Sequence, residues 1–499
     1  MIGRRDFLRW MGATALAGAG SRHNPAAGRT PPSGPNIIVI LTDDQGWADL
    51  GVQGQVKDIR TPHLDALAAS GVRCTAGYIT APQCSPSRAG LLTGRYQQRF
   101  GLESIPDTPL PLGEVTLADR LGRAGYVSGV VGKWHLDPNP TSARWIAQNL
   151  PEAAGRPRQQ VRIPEWARLA YSPGRRGFHE FFEGQIHRYG ANYDLSGKDL
   201  AREGQWVNDD RYRLDVQTEA ALAFIRRNRA KPFFLYLAYF GPPTPLAATP
   251  EDLGRFPAPM PQRRRHALAM LAAIDRGVGR IVARLRDEGL TEKTLVFFTS
   301  DNGAPLKMTK PDNPVNTDPG GWDGSLNDPW VGEKGMLSEG GIRVPFVVSW
   351  PGKLPAGAIY SQPVSSLDIA ATALEAAGVA PPDLLDGVGL LPFLTGDRSG
   401  PPQEALYRRF WNQAAVRAGR WKYLCLGRSA EFLFDLATDA HERKNLIAAE
   451  PDRARALRSR LRAWCSELQP PGIPQTPGNV PETPWYRYYF GVKDNAATR

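Results

Sequence analysis

The sequence carries the run Asn36-Ile37-Ile38-Val39-Ile40-Leu41-Thr42, followed directly by Asp43-Asp44. An unbroken apolar run of this length, rich in β-branched residues, indicates a strand buried on both faces. Such strands are typical of parallel sheets covered by helices, in which ligands bind beyond the carboxyl ends of the strands. The acidic pair therefore stands where a binding site is expected.

Further strand-like runs alternate with helical patterns along the chain. We predict strands at 127–131, 233–240, 294–299 and 346–350, and helices at 61–71, 116–125, 263–288 and 366–378. This alternation is typical of an α/β fold. We predict a large mixed, mostly parallel sheet sandwiched by helices, with a smaller C-terminal α+β subdomain.

The distribution of proline and glycine predicts the domain boundaries. A chain of 499 residues is long for one simple domain, and 394–402 is rich in both residue types. We predict a catalytic domain at 35–394, the α+β subdomain at 395–475 and an extended tail at 476–499.

The N-terminus resembles a twin-arginine export signal. Arg4-Arg5-Asp6-Phe7-Leu8 precedes an Ala/Gly-rich apolar run at 11–20. That run is shorter than the roughly 20 residues that a membrane span needs. We predict a signal peptide and linker at 1–34, export to the periplasm and no transmembrane segment in the mature protein; the alternative is an unstructured N-terminus.

The charge of the chain limits which classes of partner it is expected to bind. The formal net charge is +11, yet no Lys/Arg run is dense enough to indicate nucleic-acid binding. The Arg-rich segment 144–176 suits either a solvated face or contact with a polyanionic glycan. Four cysteines are too few for a disulfide scaffold in a chain of this length.

The segment Cys84-Ser85-Pro86-Ser87-Arg88 opens a predicted helix. Unpaired N–H groups and the positive end of the helix dipole favour negative charge at a helix N-terminus. Arg88 lies four residues after Cys84, hence on the same helical face, and its guanidinium suits tetrahedral oxyanions. These features predict a pocket for a sulfate or phosphate group with Cys84 at its floor.

A second acidic segment, Asp301-Asn302, follows the predicted strand at 294–299. Together with Asp43 and Asp44 it brings three carboxylates and an amide to one rim of the sheet. Such oxygen ligands favour Ca²⁺, with Mg²⁺ second. For Asp43-Asp44 alone, a solvated turn or a helix cap is the alternative.

Lys133, His135 and Lys334 are candidates for handling an anion. Lys133 and His135 stand two residues apart at a strand end, so their side chains point the same way. A cation beside an imidazole can hold an anion and protonate a leaving oxygen. Lys334 lies in the flexible Gly332-Glu333-Lys334-Gly335 loop. Ordinary structural roles are the alternative for all three.

In this order along the chain, the motifs resemble those of type I sulfatases of the alkaline phosphatase superfamily, and among these the carbohydrate sulfatases similar to galactosamine-6-sulfatases. The matching blocks are Leu41-Thr42-Asp43-Asp44-Gln45-Gly46, Cys84-Ser85-Pro86-Ser87-Arg88-Ala89-Gly90-Leu91-Leu92-Thr93-Gly94, Gly132-Lys133-Trp134-His135-Leu136, Thr299-Ser300-Asp301-Asn302-Gly303, Gly332-Glu333-Lys334-Gly335 and Glu339-Gly340-Gly341-Ile342-Arg343-Val344-Pro345. The resemblance implies an alkaline-phosphatase-like fold and hydrolysis of sulfuric esters of carbohydrates.

The resemblance also implies the chemistry of the site. A maturation enzyme would oxidise Cys84 to formylglycine, whose hydrate attacks sulfur and then expels sulfate. Arg88 would stabilise the hydrate, Lys133 and Lys334 would hold the sulfate oxygens, and His135 would contact the formylglycine hydroxyls. The Ca²⁺ ligands it implies are Asp43, Asp44, Asp301, Asn302 and the modified Cys84.

One motif departs from the family pattern. Where the family has Pro-His-Thr-Pro, this chain reads Pro242-Pro243-Thr244-Pro245. Proline cannot transfer a proton, and loss of a general acid typically costs ~10²–10⁴ in rate. Lys334 is a candidate substitute. The alternatives are a phosphate or phosphonate ester hydrolase on the same scaffold, or a weakly active or inactive homologue that binds sulfated glycans.

For the organic part of the substrate, the sequence offers His187. It lies in Gly184-Gln185-Ile186-His187-Arg188-Tyr189, which resembles the place where carbohydrate sulfatases present a substrate histidine. A plain loop histidine is the alternative. Trp322 and Trp330 suit either stacking on a sugar ring or packing under their loop.

Overall fold

The computed structural model describes residues 34–315, 321–476 and 478–492. The predicted signal peptide therefore lies outside the described residues, apart from Gly34. No helix in the described part of the chain is long and apolar enough to cross a membrane.

Seventeen strands occur in the described ranges, and ten of them form one large sheet in the order β12-β2-β11-β9-β1-β8-β4-β5-β6-β7. The strands are β1 (Asn36–Thr42), β2 (Val72–Cys74), β3 (Gly77–Tyr78), β4 (Val127–Gly132), β5 (Glu180–Gly184), β6 (Arg188–Ala191), β7 (Gln205–Asn208), β8 (Phe233–Ala238), β9 (Thr294–Ser300), β10 (Arg343–Val344), β11 (Phe346–Ser349), β12 (Ala358–Tyr360), β13 (Val364–Ser365), β14 (Leu406–Phe410), β15 (Gln413–Ala418), β16 (Trp421–Leu426) and β17 (Ala430–Asp435).

The centre of the large sheet is parallel, as its apolar strands predict. β1 pairs in parallel with β8 and β9, and β8 pairs in parallel with β4. In this register Thr42 lies opposite Ser300, and Gly132 lies opposite Ala238. The segments that follow β1, β4 and β9 therefore leave the sheet at the same edge. Antiparallel pairing is confined to β11 with its neighbours and to β5, β6 and β7.

Helices cover both faces of the large sheet, which confirms the predicted α/β sandwich. The helices are α1 (Pro62–Ala69), α2 (Cys84–Thr93), α3 (Leu117–Arg123), α4 (Ala143–Asn149), α5 (Glu165–Leu169), α6 (Arg213–Asn228), α7 (Pro250–Gly254), α8 (Gln262–Asp287), α9 (Glu339–Ile342), α10 (Leu367–Ala376), α11 (Leu391–Leu394), α12 (Pro451–Ser466) and α13 (Glu482–Phe490). Because the side chains of a strand point alternately to the two faces of a sheet, β1 contributes to two hydrophobic cores. Val39 and Leu41 pack with α2, α3 and α10, whereas Ile38 and Ile40 pack with α1, α6 and α8.

The C-terminal part forms the predicted α+β unit. β14 to β17 make an antiparallel meander of four strands, and Leu457, Leu461 and Trp464 of α12 pack on one face. Phe432 and Phe434 of β17 point to the other face and pack with Tyr78 and Tyr486. The boundary at residue 394 remains a prediction.

The expectation of an extended tail is wrong for 482–490, which form α13. Tyr486 of this helix is fully buried, and its hydroxyl donates a hydrogen bond of 2.7 Å to Gln413 Oε1. The prolines before α13 suggested an extended chain. The aromatic side chains of α13 instead pack on an apolar face of the C-terminal sheet. Tertiary burial thus overrides local composition.

Candidate active site

Two strand ends bring the acidic side chains together, as the sequence predicts. Asp43 and Asp44 follow β1, and Asp301 and Asn302 follow β9. The backbone N–H of Asp44 donates to Asp301 Oδ1 at 3.1 Å, and Asn302 Nδ2 donates to Asp44 Oδ1 at 2.6 Å. Asp44 adopts a positive φ of 57°, which aspartate tolerates better than most residues.

Cys84 is the first residue of α2 and lies at the centre of this acidic group. One ligand atom from each of Asp43, Asp44, Cys84 and Asp301 lies within 4.8 Å of the others. Cys84 Sγ is 3.6 Å from Asp43 Oδ1 and 3.4 Å from Lys334 Nζ. Burial raises the pKa of the Cys84 thiol to about 12, even though Lys133 and Lys334 oppose this shift. The unmodified side chain is therefore a neutral thiol at neutral pH and a poor nucleophile.

Arg88 ties the Cys84 helix to the end of β9. Its Nε and Nη2 donate to Asp301 Oδ2 at 2.9 and 2.7 Å, and its Nη1 donates to the carbonyl oxygen of Lys133 at 2.9 Å. The guanidinium is fully buried. Arg88 thus stabilises the positions of three segments of the site.

Two lysines place positive charge over the carboxylates. Lys133 Nζ lies 2.5 Å from Asp43 Oδ2, and Lys334 Nζ lies 2.7 and 2.8 Å from the two oxygens of Asp44. Burial alone would raise the pKa of Asp43, but Lys133, Arg88 and Lys334 outweigh it and hold that pKa well below its usual value. Burial raises the pKa of Asp301 to about 7, and the neighbouring Asp43 adds to the shift.

His135 presents an unengaged nitrogen to the site. Its backbone has a positive φ of 60°, and its carbonyl oxygen accepts a hydrogen bond of 2.8 Å from Ser85 Oγ. Its Nδ1 is buried and has no hydrogen-bond partner within the described residues. Burial, together with Lys133 and Arg88, lowers the pKa of His135 well below its usual value. A neutral imidazole is therefore available to accept or donate a proton.

The acidic group suits a hard divalent cation. Its oxygen donors come from three buried carboxylates, the type of ligand that Ca²⁺ and Mg²⁺ prefer. Asn302 Oδ1 is also buried and lacks a hydrogen-bond partner in the described structure. Buried carbonyl oxygens are rarely left without a partner, so this atom fits an additional metal ligand.

A cavity of about 320 Å³ opens over Cys84. Among the predicted site residues, its lining includes Asp44, Cys84, Lys133, His135 and Lys334. Pro243 also lines it, so the departure from the family motif faces the same cavity as Cys84.

Sequence reasoning missed two titratable residues that line this cavity, Lys307 and Asp323. Burial and the nearby Asp44 raise the pKa of Asp323 to about 7. The only sequence signal was the Asp/Asn/Gly-rich composition of the loop at 304–331, which does not single out a position. Trp322 in the same loop is buried with Ala304 and Leu306, which favours packing over sugar stacking for this side chain.

The predicted substrate residue His187 lies elsewhere. It occupies the turn between β5 and β6 with a φ of 58°, and its Nδ1 is 3.6 Å from Asp210 Oδ1. Its side chain is 60% exposed and is not among the residues that line the cavity over Cys84. A role for His187 therefore remains a prediction.

Helix α13 packs against the loop Gly332-Glu333-Lys334-Gly335. Tyr489 Oη donates to Glu333 Oε1 at 3.1 Å, one residue before Lys334. At Gly335, with a φ of 95°, an added Cβ would lie 2.4 Å from the Trp485 ring. α13 therefore packs directly against the loop that brings Lys334 into the site.

Comparisons with known proteins agree with this geometry. The model of the sulfatase family matches residues 35–379, and the model of the N-sulphoglucosamine sulphohydrolase C-terminal region matches residues 330–469. The N-acetylgalactosamine-6-sulfatase of Canis lupus familiaris is 34% identical over 427 residues, which cover 80% of this chain and 72% of that protein. The steryl-sulfatase of Mus musculus is 30% identical, with 98% and 91% covered.

A solved structure shows the same architecture. The crystal structure of Ps i-CgsB in complex with k-i-k-neocarrahexaose superimposes with a TM-score of 0.71 at 29% identity, and the match covers 91% of this chain and 97% of that one. The family model spans the segments that bear the acidic group, Cys84 and both lysines. The chain belongs to the sulfatase family of the alkaline phosphatase superfamily and is a sulfuric ester hydrolase.

Proposed function

We propose that this protein removes sulfate from a sulfated carbohydrate, with formylglycine at position 84 and a bound Ca²⁺. The observation that carries the proposal is the convergence of Cys84 with three carboxylates and two lysines at one sheet edge. Support for a carbohydrate comes from an N-acetylgalactosamine-6-sulfatase among the relatives and from the carbohydrate complex among the similar structures.

The environment of Cys84 supports the proposed modification. A buried thiol whose pKa is raised to about 12 makes a poor nucleophile. A sulfated thiol would also lack an easy route back to the free enzyme. Formylglycine supplies a hydrated aldehyde instead, with one hydroxyl for attack on sulfur and a second for release of sulfate. In the first turn of α2 this group would lie beside Lys334, whose Nζ is 3.4 Å from Cys84 Sγ.

The proposed Ca²⁺ ligands are Asp43, Asp44, Asp301, Asn302 and the modified residue 84. Calcium supplies a positive charge that polarises the oxygen atoms next to it. Arg88 stabilises the position of Asp301 through two hydrogen bonds. This ion pair keeps the carboxylate oriented toward the other ligands.

Lys133 and Lys334 hold the sulfate oxygens. The two ammonium groups stabilise the negative charge that develops on these oxygens during transfer. His135 contacts the hydroxyls of residue 84 and moves a proton during turnover. Pro243 cannot protonate the leaving oxygen, so another donor on the cavity wall must act. Lys334 is the candidate, because its Nζ already lies 3.4 Å from Cys84 Sγ.

Intact-mass analysis of the Cys84 peptide tests the modification. Conversion of cysteine to formylglycine lowers the mass by ~18 Da, counted from the atoms lost and gained in the covalent change. Release of sulfate from an aryl sulfate should require this conversion and should disappear in Cys84→Ala. An enzyme with unconverted Cys84 and full activity would contradict the proposal.

The same assay separates the alternative functions. A phosphate or phosphonate ester hydrolase would favour aryl phosphate or phosphonate over aryl sulfate in kcat/KM. A glycan-binding homologue without activity would bind sulfated oligosaccharides but release no sulfate, even when residue 84 is fully converted. We expect aryl sulfate to be the preferred ester.

We further propose export through the twin-arginine motif Arg4-Arg5. This route carries folded proteins, so it suits a chain that acquires formylglycine and Ca²⁺ by the time it leaves the cytoplasm. Replacement of both arginines by lysine should retain the protein in the cytoplasm. Unchanged recovery of the variant from the periplasm would contradict the motif's role.

A further inference from the structure

A second cavity adjoins the one over Cys84 and shares Ile105 and His135 with it. We name it the lateral groove. Its volume of about 720 Å³ lies within the range of about 300–1,000 Å³ that small-molecule sites occupy. Its aromatic and charged lining residues include Trp134, Asp137, Arg158, Glu183, Arg188 and Trp206.

The antiparallel edge of the large sheet forms one wall of this groove. β5 carries Glu183, β6 carries Gly190 and β7 carries Trp206, and these three residues lie opposite one another across the strands. Residues in such a row point to the same face of a sheet. The row continues to Gly132 of β4, immediately before Lys133. The groove is therefore built on the same sheet as the catalytic cavity.

Gly190 lines a neighbouring cavity that shares Glu183 and Trp206 with the lateral groove, and it leaves a notch between the carboxyl group and the indole of these two residues. An added Cβ there would lie 3.2 Å from Glu183 Oε1 and 3.7 Å from Trp206 Cζ3. The Trp206 side chain is 41% exposed, and its Nε1 donates to Glu165 Oε1 at 3.3 Å, which helps to hold the ring. A partly exposed indole beside a hydrogen-bonding carboxyl group suits a sugar ring, which has apolar faces and polar edges.

The groove also carries uncompensated positive charge. Four arginines line it against two carboxylates, Asp137 and Glu183. Arg168 is already paired, because its Nε donates to Asp137 Oδ2 at 2.6 Å. In the described part of the chain neither Arg158 nor Arg188 has an ion-pair partner. Arg188 Cζ instead lies 4.1 Å from the Trp206 ring centroid. Guanidinium groups that have no carboxylate partner attract anions into a cleft.

We propose that the lateral groove binds an anionic sugar residue next to the one that loses its sulfate. This proposal rests on the proposed function, because it extends the substrate from one sulfated sugar to an acidic oligosaccharide. The scissile sulfate would lie over residue 84, and the chain would pass His135 into the groove. Trp206 and Glu183 would contact the sugar ring, and Arg158 and Arg188 its sulfate or carboxylate.

Binding to a catalytically inactive enzyme tests the groove without turnover. Isothermal titration calorimetry of Cys84→Ala with sulfated galactan and galactosaminoglycan hexasaccharides should give measurable affinity for one of these classes. Adding Trp206→Ala or Arg188→Gln to this background should raise Kd about tenfold, in line with loss of an aromatic or charged anchor. Raising the salt concentration should weaken binding less in the Arg188→Gln background.

Matched controls come from the same surface. Trp166 is 72% exposed, and neither it nor the exposed Arg156 lines the lateral groove or the cavity over Cys84. Trp166→Ala and Arg156→Gln should leave the Kd for the hexasaccharide within about twofold, since they remove the same residue types outside the groove.

Kinetics then compare two substrates in the active enzyme. In Trp206→Ala and Arg188→Gln, kcat/KM for the hexasaccharide should fall at least about tenfold more than kcat/KM for 4-nitrophenyl sulfate. Equal losses on both substrates, or unchanged affinity for the hexasaccharides, would overturn the groove proposal. Absence of sulfate release from every ester by the fully converted wild-type enzyme would instead overturn the proposed function and leave the calorimetric result standing.

Discussion

Arg88 and Asp301 are joined by two hydrogen bonds to a single carboxylate oxygen, Asp301 Oδ2, at 2.9 and 2.7 Å. Both side chains are fully buried. The other oxygen, Oδ1, accepts from the backbone N–H of Asp44 at 3.1 Å. This one pair therefore links the helix that begins with Cys84 to the ends of β9 and β1.

Replacing Arg88 by Met should destabilise the protein by about 3–5 kcal/mol, because it leaves Asp301 buried without its partner. Arg88→Lys keeps the charge but cannot make both hydrogen bonds, so we expect a smaller loss of stability with reduced kcat. Urea unfolding and aryl sulfate kinetics measure the two effects. Arg455→Met, which breaks an exposed pair with Asp452, is the control and should change neither. Equal stability of Arg88→Met and the wild type would show that the pair contributes no net stabilisation.

Pro243→His should increase kcat/KM for sulfate esters by about tenfold. The residue lines the cavity over Cys84, so an imidazole there can supply the proton that proline cannot. The gain should remain below the ~10²–10⁴ typical of an optimised general acid, because a single substitution does not also orient the imidazole or adjust its pKa. Pro243→Ala removes the same ring without adding an acid and serves as the control. If both variants match or fall below the wild type, the missing histidine is not what limits the rate.

Removal of calcium should lower both stability and activity. At a Ca²⁺ concentration of one hundred times Kd, binding adds about 2.7 kcal/mol to the free energy of unfolding. Thermal unfolding with EGTA and with excess Ca²⁺ measures this contribution. Asn302→Ala should reduce the calcium-dependent rise in Tm, because the unpartnered Asn302 Oδ1 is a proposed ligand. Asp210→Asn changes an exposed carboxylate outside the acidic group, and it should leave the calcium-dependent rise in Tm unchanged. If Asn302→Ala also left that rise unchanged, Asn302 would not be a calcium ligand.

Glu339 should stabilise the fold in a pH-dependent way. It accepts from Tyr78 Oη at 2.5 Å and pairs with Lys422 Nζ at 2.9 Å. Burial alone would raise the pKa of Glu339. Lys422 and two arginines outweigh this effect and lower the pKa from 4.5 to about 2. A carboxylate with a lowered pKa in the folded state stabilises above its unfolded pKa, and the stabilisation is lost as pH falls through the folded value.

Glu339→Gln should therefore reduce the free energy of unfolding at pH 7 by about 3 kcal/mol. The difference from the wild type should shrink as pH falls from about 4.5 toward about 2, where the wild-type carboxylate becomes protonated. Urea unfolding at several pH values measures this trend. Glu404→Gln, at an exposed pair with Arg460, should show no comparable trend. A pH-independent difference for Glu339→Gln would contradict the electrostatic origin.

Much of the fold and most of the candidate active site could be predicted from local sequence. The apolar run of β1 predicted a doubly buried strand, and Asp43, Asp44, Asp301 and Asn302 lie together because both segments follow parallel strands. Cys84 begins a helix, and Arg88 occupies the same helical face, as the spacing predicts. Such features depend on burial pattern, strand ends and helix starts, which neighbouring residues encode.

Other features depended on contacts between distant segments. Composition predicted an extended tail, but α13 buries Tyr486 against the C-terminal sheet and packs Trp485 over Gly335. Asp323 reaches the cavity over Cys84 from a loop with no distinguishing motif. Neither placement has a local signal, because each depends on which remote surface offers space and apolar contact.

The sequence by itself therefore determined the α/β class, the identity of the acidic residues that meet at the sheet edge and the position of Cys84 at a helix start. Only the tertiary structure decided the strand order, the antiparallel edge of β5, β6 and β7 and the groove that this edge forms beside His135. The physical reason is that periodicity specifies which side of an element is buried, whereas strand pairing depends on side chains hundreds of residues apart.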